Sequence, residues 1–241
     1  MDKITVVTGF SHKGYEQYGK NFLETFHRFA PEDFDLVAYV EKAVPTPRGR
    51  CVLNKDLRGV HEFRERNKHN LASHGREPTH GWRHKDERIG YSYRFDAQKF
   101  CWQLFYPEDA AASLPDDHIL VWFDGDIIFH GSVSRQFILR SLANADLAYL
   151  GRTTHSELGF WAVRLNTSTR AFLRAMPDLY RSDRVFSLRE WHSAFVFDHC
   201  LSISSVKANN LTPNDKGNVW ERTPLKEFST HLKGRLKGNP F

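Results

Sequence analysis

The 241-residue sequence predicts a single α/β domain, a mixed and mainly parallel sheet flanked by helices and interrupted by a basic insert at about 45–90. Two observations carry the sheet. The chain opens strand, helix, strand, and a β-α-β start feeds a parallel sheet. An uninterrupted apolar run at 118–123 (HILVWF) has the length and composition of a central strand covered on both faces. A third observation marks the insert. Between Pro45 and roughly Gly90 the hydrophobic period dissolves into RGR, RERNKHN and HGWRHKDER, too polar for a core and too long for an ordinary connection.

Residues 3–8 (KITVVT), β-branched and closed by Gly9, form the opening strand. Tyr15, Tyr18, Phe22, Phe26 and Phe29 recur at helical spacing as far as Pro31, and 34–40 (FDLVAYV) is the second strand. The segment that follows reads as an insert or a mobile flap. Residues 93–106 (YRFDAQKFCWQLFY) read as a buried helix with Arg94 and Lys99 about one turn apart, stopped by Pro107. Beyond the central strand, 127–129 continues the apolar tract, and a helix opens at Gly131-Ser132 and runs to Leu142. Residues 146–150 and 157–163 read as strands, 167–176 as a helix, and 187–199 as a helix or a helix with a strand end. One more strand candidate lies past Leu201, ahead of a tail rich in Gly, Asn and Lys. With no internal repeat and no second core, 1–241 is one domain.

Composition narrows the class. At 40% hydrophobic and 26% charged, the chain is neither disordered nor fibrous, and 19 Phe and 6 Trp against 2 Met imply a core of rigid rings. No stretch approaches the roughly 20 apolar residues that span a bilayer, and the apolar run at 4–7 is too short for a signal peptide. A soluble, cytoplasmic protein is expected. Cys51, Cys101 and Cys200 are odd in number and widely spaced, which argues for reduced, mostly buried thiols and against a disulfide framework or zinc ribbon. The net charge of +5 is local: residues 48–88 hold 11 Lys/Arg against 6 Asp/Glu, together with His61, His69, His74, His80 and His84.

Chemistry is concentrated at two places. Asp124-Gly125-Asp126 ends the buried strand, where two carboxylates one residue apart can both reach a divalent cation and Gly125 lets the chain turn. Open sheets bind ligands at the carboxyl ends of such strands. Near the C-terminus, His231-Leu-Lys-Gly234-Arg-Leu-Lys237 offers an imidazole for a Mn²⁺-like shell, a glycine for close approach to a phosphate, and a compact positive charge.

Together these motifs resemble the metal-dependent glycosyltransferases of the GT-A fold, of the glycogenin and bacterial lipopolysaccharide galactosyltransferase type. The resemblance implies Mn²⁺ or Mg²⁺ held by Asp124, Asp126 and His231, with Gly234 and Lys237 at the diphosphate of a nucleoside diphosphate sugar, most simply a UDP-sugar. It also implies that Arg94 and Lys99 hold the donor's sugar or phosphates, and that Thr8, Gly9, Tyr39 and Glu41 lie at its base and ribose. Glu157-Leu-Gly-Phe160 resembles the turn lining the acceptor side, and Glu190-Trp-His192 falls where the family presents an acid beside the sugar. The family's Asp-Gln-Asp at that position and its Pro-Trp after the last lysine are absent here. Glu157, Glu190 and His192 are the catalytic candidates, with Asp198 a further acid; an inverting reaction needs one of the acids as base, whereas a retaining one does not.

The acceptor is argued from the insert. A basic, histidine-rich segment attracts polyanions, which makes DNA a candidate acceptor, with Trp82 or Phe63 stacking on an extruded base in a phage-type DNA-modifying glycosyltransferase. A cell-surface glycan is the alternative, since basic flaps also suit anionic membrane surfaces. Two other classes compete. A haloacid-dehalogenase-type phosphatase would use the first Asp as nucleophile but carries it on its first strand, and a nonenzymatic nucleic-acid-binding protein leaves the buried Asp-x-Asp unexplained.

Overall fold

The computed structural model describes residues 3–46, 48–76, 90–213 and 215–233. Its centre is a seven-stranded sheet in the order β3-β2-β1-β4-β7-β6-β8. β1 (Ile4–Phe10), β2 (Phe34–Val40), β3 (Arg50–Leu53) and β4 (Ile119–Phe123) are parallel, with Ile4 opposite both Phe34 and Ile119. Then the direction reverses. β7 (Glu157–Arg164) runs antiparallel to β4 and to β6 (Leu147–Leu150), and β8 (Ala208–Asn210) runs parallel to β6. The α/β sheet expected from sequence is therefore present, mixed and mostly parallel on its β3 side. The reversal matters because it puts the first residue of β7, Glu157, at the same sheet edge as the carboxyl ends of β1, β2 and β4.

Helices cover both faces. The opening helical segment is α1 (His12–Gly14), a π-helical turn at Tyr15–Gly19 and α2 (Lys20–Phe29) in succession. α2 packs Phe22 and Phe26 against Phe129 on one face, with α6 (Arg135–Leu142) beside it. The other face carries α3 (Arg58–Arg66), α5 (Trp102–Ala112), α7 (Thr167–Arg181) and α8 (Ser193–Ser202). β4 is buried along its whole length, as a strand enclosed on both faces must be.

Several sequence expectations are corrected. The insert is not wholly a flap, because Arg50–Leu53 is an edge strand and α3 buries Val60 and Phe63 completely. Apolar residues at helical spacing were present there, diluted by charge. The single helix expected at 93–106 is broken into a 3₁₀ turn (Tyr93–Phe95), α4 (Ala97–Phe100) and α5, because Asp96 turns its side chain onto the Lys99 amide as a cap. Arg94 and Lys99 thus belong to different elements. Pro107 does not stop α5, nor Pro177 α7; both rings are buried, and the helices run on to Ala112 and Arg181. α6 starts at Arg135, capped by Ser134, rather than at Gly131. Helix is confined to Ser193–Ser202 in the region where 187–199 was ambiguous.

Residues 127–129 leave the main sheet. β5 (Ile127–Phe129) pairs antiparallel with β9 (Ser229–His231), a three-residue strand that composition alone does not announce. This two-stranded ribbon carries the end of the described chain back to the carboxyl edge of β4. The three cysteines are free, and burial pushes the thiols of Cys101 and Cys200 up to about 12, which leaves them inert. Among the described residues no helix is long and apolar enough to cross a membrane.

Candidate metal centre and adjoining cavity

β4 delivers Asp124 and Asp126 to the sheet edge, and β9 delivers His231 opposite Ile127. The Leu232 amide bonds the Asp126 carbonyl at 2.9 Å and the Asp124 amide bonds the Gly159 carbonyl at 3.0 Å, so three strands lock the site's backbone. His231 Nε2 lies 3.0 Å from Asp126 Oδ1 and 4.0 Å from Asp124 Oδ2. All three residues offer ligand atoms within 4.8 Å of one another. The Asp126 side chain is only 3% exposed.

Two glycines make this approach possible. A Cβ on Gly159 would sit 2.7 Å from the His231 ring, and one on Gly125 would sit 2.5 Å from the Phe10 ring and 2.7 Å from the Gly9 carbonyl oxygen. Gly125 is thus required by the close passage of β1, in addition to the turn inferred from sequence.

Glu157 stands behind the imidazole. Its Oε1 is 3.6 Å from His231 Nδ1, and its Oε2 accepts from Lys233 and lies 3.2 Å from the Arg152 guanidinium. Burial alone would raise its pKa, but His231, Lys233 and Arg152 outweigh burial and hold the carboxyl below its ordinary value. Glu157, a catalytic candidate from sequence, is therefore enclosed among cations and oriented toward His231. A carboxylate behind a ligating imidazole fixes the ring and raises its basicity. His231 itself is desolvated, which would lower its pKa, yet Asp126, Glu157 and Asp124 together hold it above its ordinary value.

Two carboxylates and one imidazole, convergent, with Asp126 and His231 buried and Asp124 half-buried, fit a hard to borderline divalent ion such as Mn²⁺.

Beside Asp124 opens a cavity of about 420 Å³. Gly9, Glu41 and Lys99 line it. Sequence reasoning did not find Arg64 and His74 of the insert, Trp102, or Gln103, which reaches Asp124 Oδ1 at 3.5 Å and accepts a hydrogen bond from Ser193. Gln103 was detectable as a polar residue inside the apolar run of α5. Arg64 was hidden among the charges of α3, where it stacks over Trp102 at 4.9 Å.

Other expected residues lie elsewhere. Tyr39 is fully buried beneath Tyr106, rings 4.6 Å apart and nearly parallel, and its phenol donates to Asp109. It supports a cavity residue and does not face the cavity. Thr8 is likewise a core residue. Phe63 is sealed against Tyr180 and offers no face to a base. Asp198 accepts both the Ser156 amide and its hydroxyl, tethering the loop before β7. Gly234 and Lys237, and Trp82, Arg83, Lys85, Arg88, His80 and His84 of the insert, lie outside the described residues.

Arg94 belongs to a neighbouring cavity of about 570 Å³, which also holds Glu190 and His155. Its guanidinium is 3.8 Å from Glu190 Oε1, and Glu190 Oε2 is 3.0 Å from His192 Nε2. Burial raises the Glu190 pKa but His192, Arg94 and Arg189 more than offset it, so the carboxyl titrates below its usual range. His155, desolvated and beside His192 and Arg152, is pushed down to about 4.

No protein-family model matches the chain, and no curated protein does. Solved structures do. The glycosyltransferase GlyE of Streptococcus pneumoniae TIGR4 superimposes with a TM-score of 0.54 at 12% identity, over 100% of this chain and 57% of that one. This chain therefore spans little more than half the length of that relative. A glycosyltransferase involved in the glycosylation of the major capsid of PBCV-1 superimposes with a TM-score of 0.52 at 12% identity, over 99% of both chains. At this identity what the chain shares with them is the GT-A-like fold.

Proposed function

We propose that this chain is a metal-dependent glycosyltransferase that moves a sugar from a nucleoside diphosphate donor, a UDP-sugar, to a carbohydrate acceptor. The observation that carries the reading is the return of His231 on β9 to Asp124 and Asp126 at the mouth of the 420 Å³ cavity. A solvated turn has no reason to bury Asp126 against a distant imidazole with a second, half-buried acid beside it. The likeness to two glycosyltransferase structures supports the same reading through the fold.

In this proposal Asp124, Asp126 and His231 hold Mn²⁺ or Mg²⁺. When bound, the ion supplies charge neutralisation at the leaving diphosphate. The chain's own residues do the rest. Glu157 orients His231, Gln103 restrains Asp124, and Arg64 and Lys99 offer positive charge to the donor from the cavity wall, with Gly234 and Lys237 as further diphosphate contacts on the motif. Trp102 and Tyr106 present rings to the cavity. With Glu157 and Asp198 committed to cations and to the Ser156 loop, Glu190 and His192 remain as the polar pair on the acceptor side.

A carbohydrate acceptor is favoured over DNA because several cations of the basic insert are paired within the chain or turned to the cavity. Arg58, Lys68 and Arg66 pair with Glu62, Glu65 and Asp183, and Arg64 faces the cavity. The charge excess of 48–88 is the observation that favours DNA. Duplex binding whose affinity falls steeply with salt would support that second reading, and binding absent at low salt would exclude it.

The test is UDP release from UDP-sugars with Mn²⁺. Turnover that falls by about 100-fold or more in Asp126→Asn and His231→Ala, with thermal unfolding little changed, is the expected result. Wild-type turnover in both variants would reject the metal centre, and hydrolysis of p-nitrophenyl phosphate in place of UDP-sugar would move the chain to the phosphatase class.

A further inference from the structure

We propose that His155, Glu190 and His192 form a second metal site, separate from the Asp124 centre, for Zn²⁺ or a divalent transition ion of similar character. The inference stands on its own donor set and does not require the transferase reading.

Two imidazoles and a carboxylate select borderline ions, and His₂Glu with one position left open is an arrangement zinc adopts. The ligand atoms of the three residues lie within 4.8 Å of one another. His192 Nε2 and Glu190 Oε2 are 3.0 Å apart, close to the roughly 3.3 Å that separates two donors sharing one tetrahedral zinc at about 2.0 Å. The His155 ring lies 4.8 Å from that of His192, inclined by 71°. Small side-chain movements bring all three onto one ion.

The surroundings hold the ligands as an outer shell does. Arg94 and Arg189 face Glu190 Oε1 at 3.8 and 3.9 Å, which leaves Oε2 turned to the imidazoles. The Trp191 amide between the two ligands bonds the Arg94 carbonyl at 2.7 Å, and His192 is the residue from which α8 springs. The loop bearing His155 is tied by Arg152 to the His155 carbonyl and by Asp198 to Ser156. The cluster adjoins the 570 Å³ cavity beside Thr153 and Thr154, so an ion there keeps an open coordination position reachable by water or a hydroxyl. Here Glu190 and His192 act as ligands and not as proton-transfer groups.

The experiment uses tag-free, chelator-stripped protein in which Asp124→Asn and Asp126→Asn have removed the first centre, titrated with Zn²⁺ by equilibrium dialysis and with Co²⁺ by visible absorption. One equivalent of Zn²⁺ and the intense visible bands of low-coordinate Co²⁺ are expected. Adding His155→Ala or, separately, Glu190→Gln should weaken binding by at least about 100-fold, the upper end of the loss even outer-shell changes produce. His155→Gln, which keeps a polar side chain, replaces His155→Ala if melting shows that variant unfolded. The proposal is overturned if the background variant takes up no Zn²⁺, or if its affinity survives these changes, which would assign the metal to other histidines of the chain. A chain that releases no UDP yet binds Co²⁺ in this way keeps the second site and loses the transferase reading.

Discussion

The two ionic regions beside the cavity are built on opposite principles. At the Asp124 end most of the charges are buried, with side-chain exposures of 3% for Asp126, 6% for His231 and 10% for Glu157, and Asp124 half-buried at their edge. On α3 they are open to water: Arg58–Glu62, Lys68–Glu65 and Arg66–Asp183 all pair at the surface. Buried charges cost several kcal/mol each to desolvate and persist only where they are answered, whereas exposed pairs contribute about 0–1 kcal/mol. A cluster of the first kind marks a site. Charges of the second kind solvate a face whose attachment is made by something else, and on α3 that is Val60 and Phe63.

This contrast is broken most directly at Phe63. Phe63→Ala removes a fully buried ring packed on Tyr180 and Phe186 and should cost about 3–5 kcal/mol of stability in denaturant unfolding. A loss below about 1 kcal/mol would mean that α3 is held by its charges after all.

The same contrast explains what could be read from the sequence. Long one-character runs were legible: HILVWF as the central strand and FDLVAYV as its parallel neighbour, with the Asp-x-Asp at the strand end. Their pattern is local, so no tertiary knowledge was needed. β3 and α3 were not legible, because Val52, Leu53, Leu57, Val60 and Phe63 are diluted by arginine, lysine and glutamate, and burial of one face is invisible in average polarity. β9 was equally hidden, since Ser-Thr-His has no strand signature and is a strand only because Ile127–Phe129 lies beside it. His231 came from the motif, whereas its partner Glu157 was read as an acid near the acceptor. The cations on its Oε2 are Lys233 and Arg152, 76 residues away along the chain and five residues away respectively, and only the fold assembles them.

A smaller effect tests the buried end. Glu157→Gln keeps the shape of the side chain and removes the charge behind His231. If that carboxylate orients a ligand, Mn²⁺ affinity measured by titration calorimetry should fall by about 10–100-fold, or about 1.4–2.7 kcal/mol. A general base would behave differently: turnover would collapse while metal affinity stayed at the wild-type level. Glu157→Asp, which restores charge at a shorter reach, should recover part of the affinity.

The smallest effect is expected at the exposed end, where Arg66 bonds Asp183 and the carbonyl of Arg181, and Asn67 reaches the same carboxylate. The Arg66 hydrogen bond holds the Asp183 carboxyl below its ordinary value, helped by Asn67 and opposed by partial burial. A depressed folded pKa means that this stabilisation is complete above the unfolded carboxylate value near 3.9 and is lost as pH falls through the folded one. Arg66→Met should therefore lower stability by no more than about 1 kcal/mol at neutral pH. The difference from wild type should shrink toward zero in unfolding curves taken at progressively lower pH in the acid range. A deficit that persists undiminished after Asp183 is protonated would show that Arg66 works through its hydrogen bonds to backbone carbonyls and the packing of its stem, and that even the surface end of this molecule is held by something other than charge.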